Sequence, residues 1–161
     1  MILIALGANM PSPAGPPAET LNVALARLEQ KGVKILARSS LYRTPAWPDP
    51  AQPAFVNAVA AIETALQPVE LLALLHGVET AFGRLRSVPN APRPLDIDLL
   101  DYDGRVMAGD LTLPHPRMSQ RSFVLVPLAE IAPGWRHPVT GQGVAELLAS
   151  LPDRDTPKKL A

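Results

Sequence analysis

The sequence predicts an α+β domain built on a mostly antiparallel sheet, and three observations predict it. Two segments carry apolar residues at helical spacing, Leu21 to Leu28 and Val69 to Phe82, and short alternating or unbroken apolar runs stand before, between and after them. The resulting order is strand, helix, strand, strand, helix, strand. At 161 residues and 47% apolar composition, the chain is long enough for one domain with a substantial core.

The elements follow in order. Ile2 to Leu6 is an apolar run with strand length, and Gly7-Ala8-Asn9 is expected to turn the chain into a proline-rich loop through Pro17. Glu19 to Gln30 repeats Leu21, Ala24, Leu25 and Leu28 at helical spacing and is stopped by Lys31-Gly32. Val33 to Tyr42 alternates with one largely apolar face, which predicts a strand. Arg43 to Pro53 holds four prolines and is expected to be a loop long enough to be functional. Phe55 to Glu63 alternates again, with Phe55, Asn57, Val59 and Ala61 on one face. Asn57 is a polar amide in an apolar strand, so it is either satisfied by a neighbour or waits for a ligand.

Pro68 suits a first helical residue, and the amphipathic run that follows closes at Gly83. Arg84 to Arg93 is a basic, proline-containing loop leading into a strand from Leu95 to Leu100. Tyr102-Asp103-Gly104-Arg105 signals a hairpin with a return strand through Val106 and Met107. Leu111 to Pro116 is extended, Val124 to Ile131 is expected to be partly helical after Pro127, and Gly141 to Leu151 looks like a last short helix. The βαββαβ order is the ferredoxin-like arrangement, with an added hairpin and C-terminal helices. Two helices are expected on one face of the sheet, leaving the other face to carry a site. One domain over residues 1–161 is expected, with 152–161 as a solvated tail.

Composition narrows the function. The 15 basic and 15 acidic residues balance, which gives no footing for a nucleic-acid or membrane-surface partner. The absence of cysteine removes disulfides, thiolate metal sites and cysteine nucleophiles. No apolar run reaches the length of a membrane span, and the six apolar residues at the start lack the basic flank and cleavage region of a signal peptide, so a cytoplasmic location is expected. The 19 prolines fit stiffened connections and say nothing about chemistry.

The stretch from Pro92 to Leu100 carries the chemistry. On a strand, Leu95, Ile97 and Leu99 share one face, and Asp96 and Asp98 project side by side from the other. Two adjacent carboxylates repel each other and resist ionisation, but a hard cation such as Mg²⁺ takes oxygen ligands and turns that repulsion into binding. Arg93 stands just before the strand, where a guanidinium can meet an anionic oxygen with a fork of donors. Metal and arginine together suggest phosphate, although neither G-x-x-x-x-G-K-[ST] nor G-x-G-x-x-G occurs in the chain. A solvated strand face is the plain alternative for a lone D-x-D.

At these residues the chain resembles the 6-hydroxymethyl-7,8-dihydropterin pyrophosphokinases, enzymes of the folate pathway. Pro92-Arg93-Pro94-Leu95-Asp96-Ile97-Asp98-Leu99-Leu100 is similar to the family signature. Further matches run in order along the chain: Gly7-Ala8-Asn9, Tyr42-Arg43-Thr44-Pro45, Gln52-Pro53 with Phe55-Val56-Asn57, Glu79 with Gly83-Arg84, Pro114-His115, and Arg121 with Phe123. The resemblance implies Mg²⁺-dependent transfer of the β,γ-pyrophosphoryl group of ATP to the pterin hydroxymethyl oxygen, releasing AMP. Two Mg²⁺ ions would be held by Asp96 and Asp98. Phe55 and Phe123 would sandwich the pterin and Asn57 would pair with its edge, with Thr44, Pro45 and Trp47 nearby. Glu79, Arg84, Arg86, Arg93, His115 and Arg121 would fall to the ATP side, with Arg93 and Arg121 acting in catalysis. ATP and the pterin are then the expected partners, and a monomer is expected.

The chain departs from the family pattern in three places. Val88-Pro89-Asn90 stands where some members carry aromatic and basic residues in a longer loop, Ala8 stands where serine is common, and Pro116 follows His115. Two other readings remain open from the residues alone: a non-catalytic ferredoxin-like module that binds a small ligand, and a nucleotidyl transferase that uses the D-x-D pair on another substrate.

Overall fold

The structure, a computed structural model, describes residues 1–46, 51–83, 93–152 and 156–160. Its strands are β1 (Ile2–Ala8), β2 (Lys34–Arg38), β3 (Tyr42–Thr44), β4 (Phe55–Glu63), β5 (Asp96–Tyr102) and β6 (Lys158–Lys159). Its α-helices are α1 (Pro17–Gln30), α2 (Pro68–Ala81), α3 (Ser122–Ile131) and α4 (Val144–Ala149). The sheet runs β5-β1-β4-β3-β6, with β2 also paired to β4, and every described pairing is antiparallel. This is the α+β, ferredoxin-like arrangement that the element order predicts.

α2 begins at Pro68 as expected, and α1 begins at Pro17, inside the stretch expected to be loop. Pro17 and Pro68 occupy the first turns, where a missing N–H costs nothing. Gln67 N–H donates to Glu70 Oε1 at 3.1 Å, and the two residues form a capping box. α1 and α2 bury Leu21, Leu25, Leu28, Leu71, Leu75 and Val78 against Ile4, Leu6, Ala60, Ile62, Ile97 and Leu99 on one face of the sheet.

The other face is not left open as expected. Leu3, Ala5, Val59, Ala61 and Leu100 on that face form a second core with Val124, Leu125 and Leu128 of α3, Val144 and Leu147 of α4, and Trp135. Trp135 Nε1 donates to the buried Asp101 at 2.8 Å, which ties this layer to the end of β5. α3 starts at Ser122 rather than after Pro127. Its interior proline removes one ladder hydrogen bond, and the burial of Val124, Leu125 and Leu128 outweighs that loss.

Several boundaries also differ from the sequence expectation. β1 continues through Gly7 and Ala8, because both residues stay paired, to β4 on one side and, at Gly7, to β5 on the other. The predicted strand 33–42 divides into β2 and β3 at Ser39, whose hydroxyl takes the Val59 N–H at 3.0 Å in place of a main-chain carbonyl. Arg43 and Thr44 belong to β3 rather than to the proline-rich loop. The turn after β5 forms as predicted, with Asp103 at φ 52° and Gly104 at φ 72°. No strand follows it among the described residues; Met107 makes an isolated bridge to Leu113 instead. The last helix is shorter than Gly141 to Leu151 and spans Val144–Ala149. At the C-terminus, Lys158 and Lys159 are exposed and add β6 to the edge of β3.

Glu130, at the end of α3, fastens the helix to the β2–β3 junction. Its carboxylate accepts from the Tyr42 hydroxyl and from the Ser40 N–H and hydroxyl. Partial desolvation pushes the Glu130 carboxyl up, but the hydrogen bonds from Tyr42 and Ser40 and the charge of Lys159 outweigh it and hold the group below its ordinary 4.5. Burial, the hydrogen bond to Glu130 and that carboxylate's charge push the Tyr42 phenol up to about 12.

A carboxyl held down in the folded state stabilises the fold above its unfolded pKa and loses that contribution as pH falls through the folded value. Glu130→Ala is therefore expected to lower the thermal midpoint by a few degrees at pH 7. The gap to wild type should close as the pH is taken below about 4.5. Thermal melts of both proteins across pH 3 to 8 check this, and a gap that does not depend on pH would refute the latch.

Candidate active site

Side chains alternate along a strand, so the register across the central strand decides what meets on one face. Gly7 of β1 lies opposite Asn57 of β4 on one side and Asp96 of β5 on the other. Ala5, one pleat along, lies opposite Val59 and Asp98. Asn57, Asp96 and Asp98 therefore point to the face that α3 covers, and Phe55, two residues before Asn57, joins them. Ile97 and Leu99 point into the α1–α2 core, as the alternation predicts.

The two carboxylates are partly buried, and each meets a guanidinium. Arg93 Nη1 lies 3.3 Å from Asp96 Oδ2, and Arg121 Nη1 lies 3.4 Å from Asp98 Oδ2. Arg121 immediately precedes α3, and its guanidinium also lies over the ring of Phe123, 5.4 Å from the centroid. His115 is brought in because its backbone N–H donates to Leu100 O of β5 at 2.8 Å. Burial, helped by Arg121 and Arg117 and opposed by Asp96, pulls His115 down to about 4, so the ring is neutral at pH 7. Its Nδ1 accepts the Arg117 N–H at 3.1 Å, which places the ring hydrogen on Nε2. That nitrogen lies 3.9 Å from Asp98 Oδ2, a contact of a neutral ring with a carboxylate rather than an ion pair.

Glu79 lies near the end of α2, beside β5. It is 1% exposed, and its Oε2 accepts the Ile97 N–H at 2.7 Å. Among the described strands β5 is an edge, so the Ile97 N–H points away from β1, and Glu79 of α2 satisfies it between the two aspartates.

Asn57 is buried, and its Nδ2 donates to Thr44 Oγ1 at 2.8 Å. Its Oδ1 lies 2.8 Å from the position that a Cβ on Gly7 would take, and the Phe55 ring comes within 3.8 Å of the same position. Gly7 therefore serves close approach on the strand rather than a turn. Pro45 is exposed beside Thr44. Trp47, Arg84 and Arg86 lie outside the described residues.

The structure thus brings together Asp96, Asp98, Arg93, Arg121, His115, Phe55, Asn57, Thr44 and Phe123 around one end of a single sheet face. It also uses Gly7 and Asn9, which the sequence reading took for a turn and part of the family match without giving either a place in the site. No group of three or more histidine, cysteine, aspartate or glutamate side chains gathers for a metal among the described residues. Two carboxylates nevertheless suit Mg²⁺, which usually keeps several waters and completes its shell with substrate phosphates.

Known proteins resemble this chain in sequence and in fold. Residues 3–133 match the family model for 7,8-dihydro-6-hydroxymethylpterin-pyrophosphokinase (HPPK). The chain is 40% identical over 148 residues to the 2-amino-4-hydroxy-6-hydroxymethyldihydropteridine pyrophosphokinase of Synechocystis, covering 91% of this chain and 73% of that protein. It is 46% identical over 121 residues to the protein of the same name in Methylorubrum extorquens, covering 74% and 75% of the two chains. In fold it is similar to HPPK-DHPS of Plasmodium falciparum, with a TM-score of 0.71 at 15% identity over 92% of this chain and 40% of that one.

The Gly7–Asn57 contact gives a direct expectation. A methyl group on Gly7 has to displace the Asn57 amide, so Gly7→Ala should destabilise the chain by about 1–3 kcal/mol and break the Asn57–Thr44 hydrogen bond. Urea denaturation gives the first quantity, and the Asn57 side-chain amide resonances report the second. Unchanged resonances would show that the amide does not depend on the space at Gly7.

Proposed function

The chain belongs to the 7,8-dihydro-6-hydroxymethylpterin-pyrophosphokinase family, and we propose that it transfers the β,γ-pyrophosphoryl group of ATP to 6-hydroxymethyl-7,8-dihydropterin. The observation that carries this reading is the placement of Asn57 and Asp96 on either side of Gly7. It sets a buried amide beside a carboxylate pair on one face, with Phe55 next to the first and Arg93, His115 and Arg121 next to the second.

The flat pterin suits the Phe55, Asn57 and Phe123 end of this face. Aromatic faces hold its ring, and an amide matches its hydrogen-bonding edge. Thr44 fixes the Asn57 Nδ2, and no described residue donates to its Oδ1, which leaves an acceptor for a ring N–H. Pro45 follows Thr44 directly, and Trp47, two residues further along the sequence, is assigned to the same ligand.

The ATP phosphates suit the carboxylate and arginine end. Bound there, Mg²⁺ would be held by Asp96 and Asp98, and it would neutralise phosphate charge and orient the accepting hydroxyl. Arg93 and Arg121 now neutralise the two aspartates, and phosphate oxygens give them stronger, forked partners. Arg84 and Arg86 are assigned to the same polyanion. His115 offers its Nε2–H as a donor and is not a base at that atom.

The reaction needs no protein nucleophile, since phosphoryl transfer relies on positioning and charge neutralisation. The pterin hydroxymethyl oxygen bonds to the β-phosphorus as the bond from that phosphorus to the α,β-bridging oxygen breaks. AMP leaves with the bridging oxygen, and the hydroxyl proton passes to water. Glu79, assigned to the nucleotide side, also holds β5 in register.

AMP formation from ATP and the pterin, with and without Mg²⁺, tests the reaction. Asp96→Ala and Asp98→Ala are each expected to reduce turnover by at least about a thousandfold while circular dichroism and the thermal midpoint stay near wild type. Near-normal activity in either variant would remove the metal assignment. Phe123→Ala is expected to weaken pterin binding by about tenfold, equivalent to about 1.4 kcal/mol of stacking, and ATP binding by much less. Equal losses for both ligands, measured by calorimetry, would count against the stacking role.

A further inference from the structure

We propose that Asn9 is a positioning residue that holds the arginine side and the pterin side of the site in a single register, an inference that rests on the pyrophosphokinase reading. Asn9 follows the last residue of β1 and is 2% exposed. Its backbone N–H donates to Arg93 O at 3.1 Å, and its side-chain Oδ1 accepts the Arg93 N–H at 2.7 Å. Its Nδ2 donates to Pro53 O at 3.3 Å. The backbone and side chain of one buried residue therefore each hold the backbone of Arg93, and the side-chain amide alone reaches across to Pro53.

The two ends of that bridge lead into the two halves of the site. Arg93 stands three residues before Asp96 and reaches its carboxylate. Pro53 stands two residues before Phe55, where β4 begins. β1 lies between β5 and β4 in the sheet, so a side chain at the end of β1 can reach the entry of both neighbouring strands. The hydrogen bonds require an amide, since Oδ1 must accept from one side while Nδ2 donates to the other. Alanine would leave the Arg93 N–H without its side-chain acceptor and Pro53 O without its donor. Aspartate would keep the acceptor for Arg93 and set a second acceptor against Pro53 O.

Asn9 touches neither reacting group in this arrangement, so its contribution reads on their relative placement. Misplacement of reacting groups by about an ångström costs on the order of a hundredfold in rate. Binding of each substrate alone uses only one half of the site and should change little.

The experiment compares the full-length wild type with Asn9→Ala and Asn9→Asp. Steady-state AMP formation gives kcat, and calorimetry gives the dissociation constants for the pterin alone and for a non-hydrolysable ATP analogue with Mg²⁺ alone. For Asn9→Ala, kcat should fall about 10- to 100-fold while each dissociation constant moves by less than about threefold. Asn9→Asp should lose less in kcat and bind the ATP analogue as wild type does, because the Arg93 clamp survives.

An unchanged kcat with only a lower melting temperature would overturn the proposal. So would a weakening of either single-ligand affinity by the same factor as the loss in kcat. If Asn9→Ala does not fold, Asn9→Asp decides by the same split between kcat and affinity. A wild-type chain that makes no AMP overturns the assigned reaction and the role of Asn9 with it, whereas an active wild type with unaffected variants overturns Asn9 alone.

Discussion

The site depends on one constraint, that β1, an interior strand of the sheet, is paired along both edges and covered on both faces. β1 is buried at every position and is held in fixed antiparallel register by β4 and β5. A slip of one residue on either side would turn Asn57, or the two aspartates, into the α1–α2 core. The cost of burying a carboxylate there without a partner is far larger than the difference between competing registers on an open strand. Apolar packing in β1 thus fixes where the polar groups of its neighbours must point.

The same constraint explains the polar groups that brace the site. β5 is an edge among the described strands, and an edge strand can shift unless its outward N–H groups are taken up. Glu79 takes the Ile97 N–H between the two aspartates, so the strand is held from α2 on one side and from β1 on the other. Arg93 and Arg121 then meet Asp96 and Asp98 from opposite ends of the chain segment that encloses them. The carboxylates repel each other and the guanidinium groups offset that repulsion, and both kinds of group are turned toward the same space. On the proposed function, a polyanion with divalent cations would enter there by exchanging partners with them.

Much of this was legible in the sequence, and the parts that were not have physical reasons. Alternation from Leu95 to Leu100 and from Phe55 to Glu63 gave the strands and their faces, because a pleated strand writes its burial into every second residue. Helical spacing with Pro68, Gly32 and Gly83 marked both long helices, although Pro17, read as the end of a loop, turned out to open α1. Pro127 misled, since a proline reads as a helix start or break, and only the packing of Val124, Leu125 and Leu128 on the sheet shows why the helix runs through it. Gly7 misled in the same way: glycine suggests a turn, whereas here it makes room for Asn57 from the next strand. Glu79 and Asn9 were matched by type and order, but their hydrogen bonds run to residues 18 and 84 positions away, which no local pattern encodes. The split between β2 and β3 likewise depends on Ser39 and Glu130 meeting partners distant in sequence.

α3 shows how the second face came to be covered while still admitting a site. The helix has 10 residues and is therefore about 15 Å long. Its two ends are tied to strands on opposite sides of β4. Arg121, just before the helix, reaches Asp98 on β5, and Glu130, in its last turn, takes Tyr42 of β3 and Ser40 beside it. Between the anchors its apolar side chains close the core over Ala5, Val59 and Ala61. Holding the helix at both ends also delivers Arg121 and Phe123 to the rim, beside the carboxylates and on the face that carries Phe55 and Asn57.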